Sequence, residues 1–167
     1  MKKIFLLVIT TLLAINIACA QDAWVNYKID DKLSVKIPDQ PTKLDEHSVF
    51  FRDKDTSIYI IAIVDVIKTE GIDSAKMIAE EPTAEYANNL KGGMLGQMPG
   101  FTMGDVNISK WKGYTCYTFD GGNTSQKLKI YTFVVFIGRN LYSLITILPE
   151  NKSPGRKDIF FDSLVLN

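Results

Sequence analysis

Histidine and cysteine are almost missing from this chain, which has one histidine, His47, and two cysteines, Cys19 and Cys116, among 167 residues. Nucleophilic catalysis usually sets a Ser or Cys beside an acid or base, most often a histidine. No nucleophile elbow surrounds any serine, and Cys116 has apolar neighbours in Tyr-Thr-Cys-Tyr-Thr-Phe. His47 therefore reads as an ordinary residue on a partly exposed strand face, and Cys116 as a buried, inert thiol. One His and one Cys cannot close a tetrahedral zinc site without carboxylates, and none stands at a fixed spacing. The paired carboxylates Asp30-Asp31 and Glu80-Glu81 fall at a turn and a helix start, where solvation explains them. A phosphate-binding glycine loop is lacking too, because Gly92, Gly93, Gly96, Gly100 and Gly104 follow a predicted helix instead of leading into one. No catalytic, cofactor-binding or metal-ligating residue is assigned, no cofactor is implied, and the chain is expected not to be an enzyme.

An excess of charge of one sign is also absent, with 19 basic and 19 acidic residues. The opening MKKIFLLVITTLLAINIACA has two lysines, a largely apolar stretch over residues 4–15 and small residues at Ala18 and Ala20. This is the pattern of a bacterial secretory signal peptide over residues 1–20, cleaved before Gln21. Lipidation of Cys19 is the rival, but Asn16 stands where the lipoprotein pattern prefers an aliphatic residue. Loss of Lys2 and Lys3 leaves residues 21–167 with a net charge of about −2, which argues against nucleic acid or an anionic membrane as partner. No later segment approaches the ~18 consecutive apolar residues of a membrane span. The chain is expected to act outside the cytoplasm, periplasmic or secreted, as one domain over 21–167. With Cys116 its only remaining cysteine, it has no internal disulfide.

What is present in quantity is strand. Residues 127–148, KLKIYTFVVFIGRNLYSLITIL, form two β-branched and aromatic runs around Gly138-Arg139. A type II′ turn at these two residues pairs Ile137 with Asn140, Phe136 with Leu141, Val135 with Tyr142 and Phe133 with Leu144. Both faces of the hairpin are mostly apolar, so it should lie centrally with a layer on each side. Short strands are expected at 24–29 and 33–37 around Asp30-Asp31-Lys32, ended by Pro38 and Pro41. A third lies within 42–52, and a fourth over 56–67 is apolar on both faces and should sit beside the hairpin.

Asp73 or Ser74 can cap a helix over 74–81, and Pro82 fits as first residue of a second helical run over 83–95. Met77, Ile78, Tyr86, Leu90 and Met94 form its apolar stripe. Strands follow at 102–110 and 114–120 with a turn at Lys112-Gly113, then a polar loop at 121–124. Pro149 should stop the hairpin, Ser153-Pro154 should start a short helix ending near Phe161, and residues 163–166 are extended. The order indicates an α+β fold, an α/β/α sandwich around a largely antiparallel sheet.

Together, LSVKIPDQP, SIYIIAIVDV, the helix, NLYSLITIL and FFDSLVLN resemble the Mog/PsbP-like fold family, which includes DcrB-like secreted bacterial proteins of unassigned function. The resemblance implies the fold and a binding or accessory role with an envelope protein as partner, and it supplies no catalytic residue. The competing reading is a small-ligand carrier or an enzyme whose site is built from loops. Two local features remain. Met94, Met98 and Met103 recur in a Gly-rich stretch and suit either Cu(I) or flexible core filling. Trp111, in the turn Lys110-Trp111-Lys112-Gly113, either anchors a partner together with that methionine stretch or folds back over the sheet edge.

Overall fold

The computed structural model describes residues 24–71 and 82–167. The expected signal peptide with Cys19, and the expected helix over 74–81 with its cap at Asp73 or Ser74, Met77, Ile78 and Glu80-Glu81, lie outside the described residues. The first part runs β1 (Val25–Lys28), β2 (Leu33–Ile37), β3 (Thr42–Lys43), β4 (Ser48–Arg52), β5 (Ile58–Asp65) and α1 (Val66–Glu70). The second runs α2 (Ala84–Gly96), β6 (Thr102–Met103), β7 (Asn107–Trp111), β8 (Tyr114–Asn123), β9 (Leu128–Ile137), β10 (Asn140–Pro149), α3 (Gly155–Asp162) and β11 (Val165–Leu166).

Eight strands form one antiparallel sheet in the order β3-β4-β5-β10-β9-β8-β6, with β7 also on β8. The hairpin β9–β10 sits at its centre with the expected register, Ile137 opposite Asn140 and Phe133 opposite Leu144. Because both of its faces are apolar, a one-residue slip would not expose a greasy face to water, and pattern alone leaves the register loosely set. The turn sets it: Gly138 takes φ 68°, which the first position of a type II′ turn requires.

Each face of the sheet has its own cover. Val135, Ile137, Tyr142 and Leu144 pack with Tyr59, Ile61 and Phe51 against Leu33, Val35 and Ile37 of a small sheet ordered β1-β2-β11, and against Phe160 of α3. On the opposite face Val134, Phe136, Tyr117 and Phe119 pack beneath Ala87 of α2. The fold is thus α+β, a sandwich around a largely antiparallel sheet, and one outer layer combines a helix with a three-stranded sheet.

Local chemistry moves several boundaries. The fourth expected strand stops at Asp65, whose carboxylate accepts from the Lys68 backbone N–H and caps α1, so Val66 and Ile67 are helical. The third expected strand is two, β3 and β4, joined by a bend. Pro82 precedes the cap of α2 instead of beginning the helix; Thr83 Oγ1 accepts from the Tyr86 N–H at 3.2 Å. Pro154 occupies the cap position of α3, with the Ser153 hydroxyl accepting from the Gly155 N–H at 3.3 Å. Pro149 stays in register opposite Leu128 as the last residue of β10. Residues 121–123, expected as loop, extend β8, because Gly121 and Gly122 let neighbouring backbone lie where side chains would stand.

Candidate functional site

The strands β5 and β10 pair so that Val64 lies opposite Leu141, Ala62 opposite Ser143 and Ile60 opposite Ile145. These six side chains share the α2 face of the sheet. On the other face of β5 Tyr59 and Ile61 are 0% and 1% exposed and Ile63, near the strand end, is half-buried, whereas Ile60, Ala62 and Val64 are all half-buried. The difference follows from where α2 sits. Ala87 and Tyr86 anchor the helix over β8 and β9, Tyr86 stacking at 5.7 Å from Phe136 and 6.4 Å from Tyr117. The half of the sheet made by β5 and β10 is left as the floor of a groove of about 760 Å³.

The helical wall of this groove is Tyr86, Leu90, Gly93, Met94 and, past the helix end, Met98. Its rims are polar: Asn89 and Gln97 on the helix side, Asp45, His47 and Ser48 across from them. Among the described residues, a Cβ at Gly93 would meet no atom within 4 Å. A glycine inside a helix costs roughly 0.5–1 kcal/mol relative to alanine, and no close packing among the described residues requires it at this position.

Asp45, His47 and Ser48 have the residue types of a hydrolytic triad but not its connectivity. The Ser48 hydroxyl and the His47 backbone N–H, the latter at 2.7 Å, both donate to the Asp45 carboxylate and hold its pKa below the ordinary value. The serine is therefore bonded to the acid, and the imidazole does not stand between them. The His47 carbonyl accepts from the Ile63 N–H at 2.9 Å, which ties the bend to β5. His47 itself is exposed in that bend, so the expected strand placement is corrected.

Cys116 is 3% exposed on β8, with Sγ 3.1 Å from Ser109 Oγ. Three strands, β5, β10 and β9, separate β8 from β4, so Cys116 and His47 are not brought together. Met94 and Met98 line the groove, while Met103 packs against the Tyr117 and Phe119 cluster. Asp30, expected as solvated surface, accepts from the Tyr142 hydroxyl at 2.6 Å and from the backbone N–H groups of Lys32 and Leu33. Trp111 packs edge-on to Phe133 at 6.2 Å on the small-sheet face, opposite the face that carries Met94 and Met103. It folds back over the sheet and forms no common end with the methionine stretch.

The groove escaped the sequence reading because both faces of β5 are apolar and were expected to be covered. Two signals pointed to it, the small Ala62 and Ser143 side by side in the sheet and the glycines at 92 and 93 inside the helix.

No family profile matches the chain, and no curated protein does. Among solved structures, cyanobacterial PsbP (CyanoP) from Synechocystis sp. PCC 6803 is similar with a TM-score of 0.65 at 14% identity. That match covers 87% of this chain and 94% of the other. A protein from Bacteroides thetaiotaomicron VPI-5482 has a TM-score of 0.47 at 12% identity over 81% of this chain and 45% of its own. A protein of unknown function from Pseudomonas aeruginosa has a TM-score of 0.49 at 13% identity over 80% and 88%. At such identities the likeness to CyanoP is one of fold, and the fold of this chain is PsbP-like.

Proposed function

We propose that this protein is a non-enzymatic binding or accessory module of the bacterial cell envelope, of the DcrB-like kind, and that it binds through the groove beside α2. The observation that carries the reading is the make-up of that groove. Its floor and helical wall are apolar, and among the described residues that line it the Ser48 hydroxyl is bonded directly to Asp45, with no imidazole between acid and hydroxyl. Placement outside the cytoplasm is supported by the signal-peptide pattern of residues 1–20. Among the described residues no helix is long and apolar enough to cross a membrane.

The test is capture of the tagged protein from its own envelope, in parallel with a Leu90→Asp variant. The reading expects a partner or envelope component that is retained by the wild type, chemically unaltered, and lost with the variant. Release of a chemically altered component would show catalysis and overturn it. Equal retention by both proteins would place binding elsewhere.

A further inference from the structure

We infer that the cavity between the turn of residues 53–57 and the start of α3 is an anion site for a small phosphate monoester, and that the Asp55 carboxylate stands in for that anion. The cavity lies on the α3 face of the sheet, opposite the groove beside α2, and the two sites stand or fall separately.

Ser57 is the observation that points to a ligand. It lines this cavity, is 1% exposed, and its hydroxyl has no hydrogen-bond partner among the described residues. The Tyr59 hydroxyl stands near enough for Ser57 to lower its pKa, but the two fall outside hydrogen-bond geometry, and Tyr59 donates its own proton to Asp53 at 2.9 Å. Buried hydroxyls are normally satisfied, so one left over at the wall of a cavity marks a place where a further polar group fits. The other walls are Asp55 from the same turn and Lys152, Ser153, Gly155 and Arg156 from the approach to α3. A volume of about 430 Å³ is ample for a phosphate together with a small organic group, and Ile159 gives that group an apolar wall.

Asp55 shows what the cations of the cavity hold. Its Oδ1 accepts from Lys152 Nζ at 3.0 Å and its Oδ2 pairs with Arg156 Nη2 at 3.1 Å. The Lys152 hydrogen bond first, then the charges of Lys152, Arg156 and Lys54, keep its pKa below the ordinary carboxylate value. Three cations thus act on one carboxylate that is a third exposed, while Asp53, the other acid of the turn, is sealed and has its own donors. A planar carboxylate has two oxygens, and Asp55 uses both on Lys152 and Arg156. The Ser57 hydroxyl is left over, as is the proton of the Ser153 hydroxyl, whose oxygen accepts from the Gly155 N–H at 3.3 Å. The N-terminus of α3, where Pro154 offers no capping side chain, adds its partial positive charge. A phosphate monoester carries about −1.5 to −2 charge and three acceptor oxygens, one more than Asp55, and the third oxygen serves the two serines. Asp55, exposed as it is, then turns out to solvent.

The test titrates glycerol 3-phosphate and acetate into the full chain at pH 7.5 by calorimetry, with Asp55→Asn, Lys152→Gln and Ser57→Ala variants alongside, and measures flotation with phosphatidate vesicles. Glycerol 3-phosphate is expected to bind the wild type, with acetate weaker by about tenfold or more. Asp55→Asn removes the competing carboxylate and should tighten glycerol 3-phosphate by about tenfold. Lys152→Gln should weaken it by about tenfold and Ser57→Ala by about threefold or more. Ser57→Ala deletes a hydroxyl without a partner, so its thermal melting should match or exceed the wild type, and weaker binding there reports the site and not the fold. Failure of both the wild type and Asp55→Asn to bind glycerol 3-phosphate, or binding unchanged by Lys152→Gln and Ser57→Ala, leaves the cavity to water and overturns the site. Weaker binding by a folded Asp55→Asn protein overturns the role of Asp55 as stand-in. Acetate binding as tightly as glycerol 3-phosphate overturns the phosphate, and flotation with vesicles without binding of the soluble monoester overturns the small ligand.

Discussion

The guanidinium of Arg156 lies 3.1 Å from the carboxylate of Asp53, joining the C-terminal helix α3 to the turn between β4 and β5. The Asp53 side chain is 2% exposed, so its charge is out of water and has to be matched locally. Asp55 N–H and Ser57 N–H both donate to one carboxylate oxygen at 2.9 Å, and the Tyr59 hydroxyl donates to the other at 2.9 Å. Burial and the adjacent Asp53 raise the pKa of Tyr59, which keeps the phenol a donor.

Removing either partner should therefore destabilise the fold unequally. Arg156→Ala leaves Asp53 three donors and opens a site that is already a quarter exposed on the arginine side, so the expected loss is about 2 kcal/mol, below the 3–5 kcal/mol typical of a sealed pair. Asp53→Ala strands two backbone N–H groups and a phenol at once, while Arg156 keeps its pairing with Asp55 at 3.1 Å, and should cost about 3–5 kcal/mol. Urea unfolding of both variants checks the order. An Arg156→Ala loss equal to or larger than that of Asp53→Ala would contradict the network as described.

A second prediction concerns alkaline pH. The Tyr142 hydroxyl is buried and donates to Asp30 at 2.6 Å, and burial first, then that bond, pushes its pKa up to about 12 from 10.0. A pKa raised on folding means that the folded state holds the proton more tightly. The resulting stability is complete below pH 10 and is lost as pH rises through about 12. Tyr142→Phe should lose about 1–2 kcal/mol at neutral pH, the bond donated to Asp30 and the longer one accepted from the Asn140 amide at 3.2 Å, and should show a shallower fall in stability across this alkaline window. Parallel pH profiles for wild type and variant would show that the phenol does not contribute.

These contacts also mark what the sequence could and could not show. The hairpin register was legible because Gly138 leaves one turn type open, although the flanking runs are apolar on both faces. The layering was legible from two apolar faces. The end of β5 was not, since Asp65 reads equally as a strand residue and as a helix cap until Lys68 N–H is seen to turn back to it. Asp30 looked solvated because its partner, Tyr142, is 112 residues away. The groove depends on which half of the sheet α2 covers, and that is fixed by Tyr86 stacking on Tyr117 and Phe136, a choice that helical periodicity does not encode.

The glycines of β8 give a third prediction. A Cβ on Gly121 would collide with the Thr102 carbonyl, because β6 crosses against the strand there. Gly121→Ala should cost about 1–3 kcal/mol, in the range of other overpacked sites, and should increase amide exchange at Thr102 and Met103 first. Gly92→Ala, with no atom of the described residues within 4 Å of its Cβ, should instead stabilise α2 by about 0.5–1 kcal/mol. Equal effects at the two positions would contradict the close approach of β6.

The fourth prediction separates scaffold from site at Trp111. Its indole is half-buried, meets Phe133 edge-on at 79° and carries Lys112 Nζ 5.2 Å above its ring. The turn beyond it closes through Lys112 at φ 50° and Gly113 at φ 88°, which directs the strand ends, and with them the indole, back along the sheet. Truncating a fully buried tryptophan costs about 3–5 kcal/mol, and a half-exposed one should cost about 2 kcal/mol. Trp111→Ala is therefore expected to lower the urea midpoint while leaving envelope capture intact in the protein that remains folded. Trp111→Phe should recover part of the loss, since a smaller ring keeps the edge-to-face contact with Phe133. A protein of unchanged stability that no longer captures its partner would return Trp111 to the role of a docking anchor, and would move the binding face from the α2 side of the sheet to the side that carries the small sheet.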